Sequence, residues 1–361
     1  MAEIDRLFSV MLERGASDLH LLEGQPPKVR EHGHLTAIEG EGMLTRGGLE
    51  RMLAEICPEE RWSRYQECGD ADFAYAMGEQ ARFRANYYRQ AFGNGAVFRV
   101  IPTKILTLEQ LKAPPILTRI AELPMGLVLV TGPTGSGKST TLAAMLDHLN
   151  ANFVKKIVTL EDPIEFVHPN KGSFFVQREV GEHSQSFGSA LRAAAREDCN
   201  VILVGEMRDL ETIALAISAA EMGVLVFGTL HTNSAAKTID RIVNVFPADQ
   251  QRQVLSMLST SLRAVVSQQL LRTADGKGRV AVHEILINNA AAAGAIREGQ
   301  IAKINQVVQG GRKEGMISFD QALMELVNQK VVTVEAAYLK AIDKKPFEAL
   351  LGDKNPYTLE G

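Results

Sequence analysis

Cysteine is scarce in this chain: three occur among 361 residues, Cys57, Cys68 and Cys199, and none sits in a C-x-x-C pair. That scatter excludes a disulfide framework and a four-thiolate zinc site, and it fits a reducing, cytoplasmic setting. Tryptophan occurs once, at Trp62. No apolar run approaches the length that spans a bilayer, so any membrane role is expected to go through a partner. Met1-Ala2-Glu3-Ile4-Asp5-Arg6 lacks the basic start and apolar core of a signal peptide. Positive charge is not in excess, since 39 Lys and Arg stand against 43 Asp and Glu. Composition therefore lends no support to nucleic-acid binding.

What is present suffices for about two domains with real cores, because 45% of residues are hydrophobic. Residues 1–101 read as a small α+β domain. Ile4, Leu7, Phe8, Met11 and Leu12 recur at helical spacing up to Gly15. A second helix is expected over Arg46–Ile56 and strands over Lys28–Leu35 and Phe73–Met77. Arg82–Tyr88 and Ala96–Ile101 read as a hairpin across Phe92-Gly93-Asn94-Gly95. Pro102 and Pro114-Pro115 break the pattern and mark an interdomain linker at 102–116. A second domain is expected over 117–345, and from about 125 strand and helix alternate. Strands are expected at 127–131, 156–160, 201–205 and 224–229, with helices at 138–150, 186–196, 209–221 and 234–244. That order predicts an α/β fold with a mostly parallel sheet and helices on both faces. The rest reads as helical, at 248–271, 289–298, 301–309, 318–328 and 333–341, and 346–361 as a polar tail.

One segment carries a chemistry. Gly132-Pro133-Thr134-Gly135-Ser136-Gly137-Lys138-Ser139-Thr140 follows the apolar run Leu127–Val130 and precedes the helix-like Thr141–Leu146. Strand, glycine loop and helix form the context that a P-loop requires. Loop amides then point at phosphate oxygens and the helix adds a positive dipole end. Lys138 supplies a charge for the β- and γ-phosphates, and Ser139 is placed to ligate Mg²⁺. The bland alternative is a flexible turn, which the matching flanks argue against.

Three further strand ends carry polar residues. Val201–Val204 runs through Gly205 to Glu206, an acid that can reach Mg²⁺ through water. Ile157–Leu160 runs to Glu161 and Asp162, one of which can orient and deprotonate a water; the bland reading is an Asp-Pro turn. Gly228-Thr229-Leu230 ends at His231. A lone histidine is usually structural, but beside phosphates it can report loss of the γ-phosphate.

Taken together, these segments resemble the secretion-ATPase superfamily, and within it the type IV pilus retraction branch of PilT-like and PilU-like motors. The resemblance rests on Ala16-Ser17-Asp18-Leu19-His20, the P-loop, Leu160–His168, Val204–Thr212, Gly228–Thr232, Ala236–Arg241 and Phe246-Pro247. It covers the chain to about 345. It implies a homohexamer with a PAS-like N-terminal domain and a RecA-like P-loop NTPase core that binds ATP and Mg²⁺. Glu161 then matches the catalytic glutamate, Glu206 the Walker B acid and His231 the His box. Arg82, Arg84 and Arg99 match arginines that complete the site from the N-terminal domain. Alternation along Arg82-Phe83-Arg84 puts both guanidiniums on one strand face, though a merely solvated face reads the same way. Ala295-Ile296-Arg297-Glu298-Gly299 matches an effector motif, or simply ends a helix. The chain departs from the family pattern at Ala293–Ile296 and at Arg196–Asn200.

The implied function is pilus retraction, at the inner membrane next to a PilC-like platform protein. An accessory retraction motor is the alternative. Extension and type II secretion ATPases carry paired C-x-x-C modules that this chain lacks. A nucleic-acid translocase or a nucleotide-switched scaffold would be a different class.

Overall fold

The computed structural model describes residues 2–31, 34–78, 80–101 and 104–351. The chain divides into two compact units, Met1–Lys104 with Pro163–Val167, and Ile105–Asp162 with His168–Gly361.

The first unit contains α1 (Asp5–Glu13), β1 (Asp18–Leu22), β2 (Lys28–Glu31), β3 (His34–Ala37), α2 (Arg46–Ile56), α3 (Glu59–Cys68), β4 (Asp70–Met77), β5 (Ala81–Gln90) and β6 (Gly93–Ile101). Its six strands form one antiparallel sheet in the order β3-β2-β1-β6-β5-β4. Strand alternation decides which face is covered. Phe83, Ala85 and Tyr87 of β5 are buried with Phe98 of β6, under Phe8 of α1, Leu53 of α2 and Tyr65 of α3. Phe8 and Phe83 stack at 4.0 Å between centroids. Tyr65 and Tyr87 satisfy their buried hydroxyls, on Asn94 Oδ1 at 2.9 Å and on the Leu53 carbonyl at 3.1 Å. The expected strand Lys28–Leu35 is two strands, β2 and β3. Strand β1 and helix α3 had no counterpart in the sequence reading.

The second unit runs α4 (Ile116–Ala121), β7 (Gly126–Thr131), α5 (Lys138–Asn152), β8 (Lys156–Glu161), β9 (Phe174–Glu179), α6 (Phe187–Ala194), β10 (Val201–Val204), α7 (Leu210–Glu221), β11 (Leu225–Leu230), α8 (Ala235–Asn244) and α9 (Gln251–Ser261). It continues with β12 (Leu262–Arg272), β13 (Arg279–Ile287), α10 (Ala290–Arg297), α11 (Ile304–Gly310), α12 (Phe319–Asn328), α13 (Val334–Lys340) and α14 (Lys345–Leu351). The sheet order is β13-β12-β7-β11-β10-β8-β9, parallel except for β13. Both faces are covered, so the central strands are mainly apolar. Leu127 and Leu129 face one core with Val158, Ile202 and helices α6–α11, while Val128 and Val130 face the other with Phe227 and helices α4 and α5.

Three expectations change. The helix expected at 248–271 stops at Ser261 and continues as strand β12, which pairs with both β7 and β13. The segment 102–116 does not run free from Leu108 onward, because Leu108 is buried in the second unit's core and Leu111, Ala113 and Ile116 pack against it; 102 and 103 lie outside the described residues. The polar tail begins later than 346, since Phe347 and Leu351 of α14 are buried against α12 and α13; 352–361 lie outside the described residues.

Removing the ring at the centre of the first core tests this packing. Phe83→Ala is expected to cost about 3–5 kcal/mol, whereas Arg84→Ala on the opposite face should stay within roughly 0.5 kcal/mol. Urea midpoints of the two variants, followed through the first unit, measure the difference.

Candidate functional site

Parallel register gathers the polar strand ends. Leu160 lies beside Val204, Val204 beside Gly228, and Leu230 beside Thr131. Glu161, Glu206, His231 and the loop after Thr131 therefore leave the sheet at one edge, its carboxyl end, where open α/β sheets bind ligands. The departure at Arg196–Asn200 lies at the other edge. There Asn200 accepts from the Lys156 amide at 2.8 Å and its carbonyl accepts from the Leu225 amide at 3.0 Å, joining the starts of β8 and β11.

The loop is built for close approach. Gly132 has φ +146°, and a Cβ there would stand 2.2 Å from the Gln268 carbonyl oxygen. Gly137, at φ +85°, takes the left-handed conformation that turns the chain into α5. Pro133, Thr134 and Gly135 form the exposed crest, and Ser139 and Thr140 are half-buried on the first helical turn. Lys138 is only 9% exposed, and its Nζ donates to the carbonyls of Gly132 at 2.8 Å and Pro133 at 3.1 Å. The Ser136 hydroxyl oxygen is buried without a hydrogen-bond partner among the described residues. An unsatisfied buried donor, a buried ammonium, loop amides and a helix N-terminus together fit a phosphate chain.

The acids are held in different ways. Thr159 Oγ1 and Gln177 Nε2 both donate to Glu161 Oε1, at 2.7 and 3.2 Å, which orients that carboxylate with neutral donors. Glu206 pairs with Arg208 and, at 3.2 Å, with His231 Nε2. Burial pushes the Glu206 pKa up, but hydrogen bonding and charge from Arg208, aided by His231, outweigh it and hold the carboxyl below its usual range. An ionised carboxylate and the Ser139 hydroxyl are hard oxygen donors of the kind Mg²⁺ takes. Among the described residues no group of three or more His, Cys, Asp or Glu is arranged for a metal ion. A cation at this edge would thus draw its other ligands from phosphate and water.

The expected arginines lie in the first unit. Arg84 faces Arg99 directly across the β5–β6 register, and Arg82 lies opposite Ile101 on the same face. Arg84 is exposed, while Arg99 donates to Asp18 Oδ1 at 2.8 Å. Burial raises the Asp18 pKa, but bonds from Ser17 and Arg99 reverse this and lower it. Ala295 and Ile296 are buried in α10, whereas Arg297, Glu298 and Gly299 are exposed at its C-terminal end.

Sequence reading passed over Thr159, Gln177, Arg208 and Gln268. Gln177 and Gln268 lie on strands that were not anticipated, and Thr159 looks like one more β-branched strand residue. Arg208, two residues after Glu206, was the most legible of the four.

Comparison with known proteins adds the following. The family described as "Type II/IV secretion system protein" matches residues 2–339. A protein of Pseudomonas aeruginosa named "Type IV pilus retractation ATPase PilT" is 51% identical over 281 residues, which span 78% of this chain and 81% of that one. The "Twitching motility protein" of Neisseria gonorrhoeae is 52% identical over 315 residues, spanning 87% and 84%. The crystal structure of "the Pilus Retraction Motor PilT and Bound ADP" superimposes with a TM-score of 0.89 at 41% identity, covering 97% of this chain and 99% of that one.

His283 of β13, buried against Gln268, makes this region acid-sensitive. Burial lowers its pKa from 6.5 to about 4, so the folded protein holds it neutral while the unfolded chain protonates. Its contribution to stability is intact above pH 6.5 and is lost as pH falls from there to about 4. At about 1.4 kcal/mol per unit the loss reaches roughly 3 kcal/mol. His168, buried and held to about 4 in the same direction, adds to it. Urea midpoints against pH should show this fall, and His283→Phe should flatten its share.

Proposed function

The chain belongs to the type II/IV secretion system protein family, and we propose that within it this protein is the ATP-hydrolysing motor that drives type IV pilus retraction and hence twitching motility. The carrying observation is the single sheet edge at which the P-loop, Glu161, Glu206 and His231 meet, with Glu206 already paired to His231.

In this reading loop amides of Gly132–Gly137 and the N-terminus of α5 hold the β-phosphate of ATP. Lys138 exchanges its bonds to the Gly132 and Pro133 carbonyls for β- and γ-phosphate oxygens. Ser139 and, through water, Glu206 would hold Mg²⁺, which would supply positive charge to the phosphates. Glu161, oriented by Thr159 and Gln177, takes a proton from the attacking water. The new oxygen–phosphorus bond forms as the bond from γ-phosphorus to the β-bridging oxygen breaks, leaving ADP and phosphate. Arg82, Arg84 and Arg99, which share one face of the β5–β6 pair, are the candidates that the family resemblance gives for positive charge at a γ-phosphoryl. His231 links Glu206 to the segment that leads into α8, so loss of the γ-phosphate reaches that helix.

The working unit is a homohexamer on the cytoplasmic face of the inner membrane, acting on a PilC-like platform protein at the pilus base. The exposed residues Arg297–Gly299 belong to the segment that passes motion onward. The membrane is reached only through that partner. Among the described residues no helix is long and apolar enough to cross it.

Glu161→Gln is expected to lower kcat by about 10²–10⁴-fold while nucleotide still binds. Lys138→Ala should abolish hydrolysis. Wild-type phosphate release from both variants would overturn the catalytic reading. In the native cell, deletion should leave surplus surface pili and no twitching. Bald cells would instead indicate an extension motor, and stimulation of ATPase activity by DNA a translocase.

A further inference from the structure

Strand β12 does more than extend the sheet. It lies next to β7, and its residues Ser267 and Gln268 meet the P-loop at several points. Ser267 Oγ is 2.8 Å from Thr131 Oγ1, where the loop begins. The Gln268 carbonyl lies under Gly132 and leaves no room for a Cβ. The Gln268 side chain, in a residue 2% exposed, reaches the other end of the loop, where its Nε2 donates to the Ser136 carbonyl at 2.8 Å.

That amide can stand only one way round. Thr141 Oγ1 of α5 donates to Gln268 Oε1 at 2.8 Å, and His283 Nε2 lies 3.1 Å from the same oxygen. His283 is neutral, so it carries one ring proton, and Oε1 is an acceptor for it at Nε2. Turning the amide over would set its oxygen against the Ser136 carbonyl with no proton between them, and the Thr141 hydroxyl and the His283 ring, each able to donate or accept, do not relieve that clash. The network is thus consistent in one orientation, and each member is buried.

The consequence follows from peptide geometry. In a planar trans peptide the carbonyl and the following N–H point in opposite directions. Holding the Ser136 carbonyl back toward β12 directs the Gly137 N–H away from β12.

We propose that Gln268 is a positioning residue for nucleotide binding, fixing the Ser136–Gly137 peptide so that the Gly137 amide faces the phosphate chain, with Thr141 and His283 fixing Gln268 in turn. Gln268 itself touches no nucleotide. The proposal rests on reading this loop as the nucleotide site, and its test separates the two.

The measurement is ADP affinity of the full chain with a fluorescent nucleotide between pH 6 and 9, with thermal melting to confirm folding. Gln268→Leu keeps the volume, removes the donor and should weaken binding about tenfold, the equilibrium worth of one buried hydrogen bond left unmade. Gln268→Glu is nearly isosteric. Its protonated carboxyl can donate to the Ser136 carbonyl and accept from Thr141 and His283, whereas its ionised form cannot donate. Burial raises the pKa of the introduced carboxyl toward the measured range. The titratable groups around it are His283 on β13, against the wild-type Oε1, and Lys138, whose Nζ lies on the Gly132 and Pro133 carbonyls of the same loop. His283 is neutral in the wild-type protein above pH 6, and positive charge beside the introduced carboxyl moves its titration to lower pH without changing its direction. Gln268→Glu should therefore bind best at the acid end of the range and be about tenfold weaker than wild type by pH 9. A packing role alone would not produce that pH-dependent rescue.

Wild-type affinity for Gln268→Leu, or wild-type affinity for Gln268→Glu across the whole pH range, overturns the proposal provided that Lys138→Ala fails to bind. If Gln268→Leu does not fold, the pH course of Gln268→Glu decides alone. Wild-type binding by Lys138→Ala overturns instead the nucleotide reading on which the proposal stands.

Discussion

Everything in the second unit depends on β7 being held on both sides by parallel neighbours. Its partners are β11 on one side and β12 on the other, in registers that end together at Thr131. A parallel ladder sets a common direction, so strand ends with polar residues must emerge at one edge. Both faces of the ladder are buried, so polar side chains within it are few and hydrogen-bonded, as Thr159 and Gln268 are, and exposed ones gather at its ends. The concentration of Glu161, Glu206, His231 and the P-loop is a consequence of that packing.

Charge at this edge is balanced within the chain. The Glu206 carboxylate lies between Arg208 and His231 and stays ionised despite partial burial. Glu161 is held instead by two neutral donors. The Arg208 guanidinium suits a group that must hold metal, while the bonds from Thr159 and Gln177 fix how the Glu161 carboxylate is turned. The two acids are alike in sequence context and differ in surroundings.

The central elements were legible because their signals were local. The four anticipated strands of the core and the helices after them occur within a few residues of expectation, since β-branched runs and capping residues such as Ser186, Asp209 and Ser234 mark them. Strand β12 was not legible. Leu262, Val265, Val266 and Leu270 recur at helical spacing, and a strand buried on both faces leaves no alternation to contradict that reading. Strand β9 escaped for the opposite reason, since Gln177-Arg178-Glu179 reads as polar loop and becomes strand only by pairing with β8. Arg82 and Arg84 sharing a face was readable from alternation. The pairing of Arg99 with Asp18 was not, because it needs β1 beside β6.

Sequence alone determined the glycine loop, its lysine and serine, and the acids and histidine that close three strands. Each of these is written in consecutive residues, where backbone conformation and side-chain chemistry are set locally. Tertiary structure decided how those pieces are oriented. It set Thr159 and Gln177 on Glu161, Arg208 and His231 on Glu206, and Gln268 behind the loop. Thr159 and Arg208 are near neighbours of the acids they hold, yet nothing in their spacing says that they turn toward them. Gln177, His231 and Gln268 are 16, 25 and 132 residues from the groups they contact. Only the crossing order of the sheet brings such distant residues within hydrogen-bond reach.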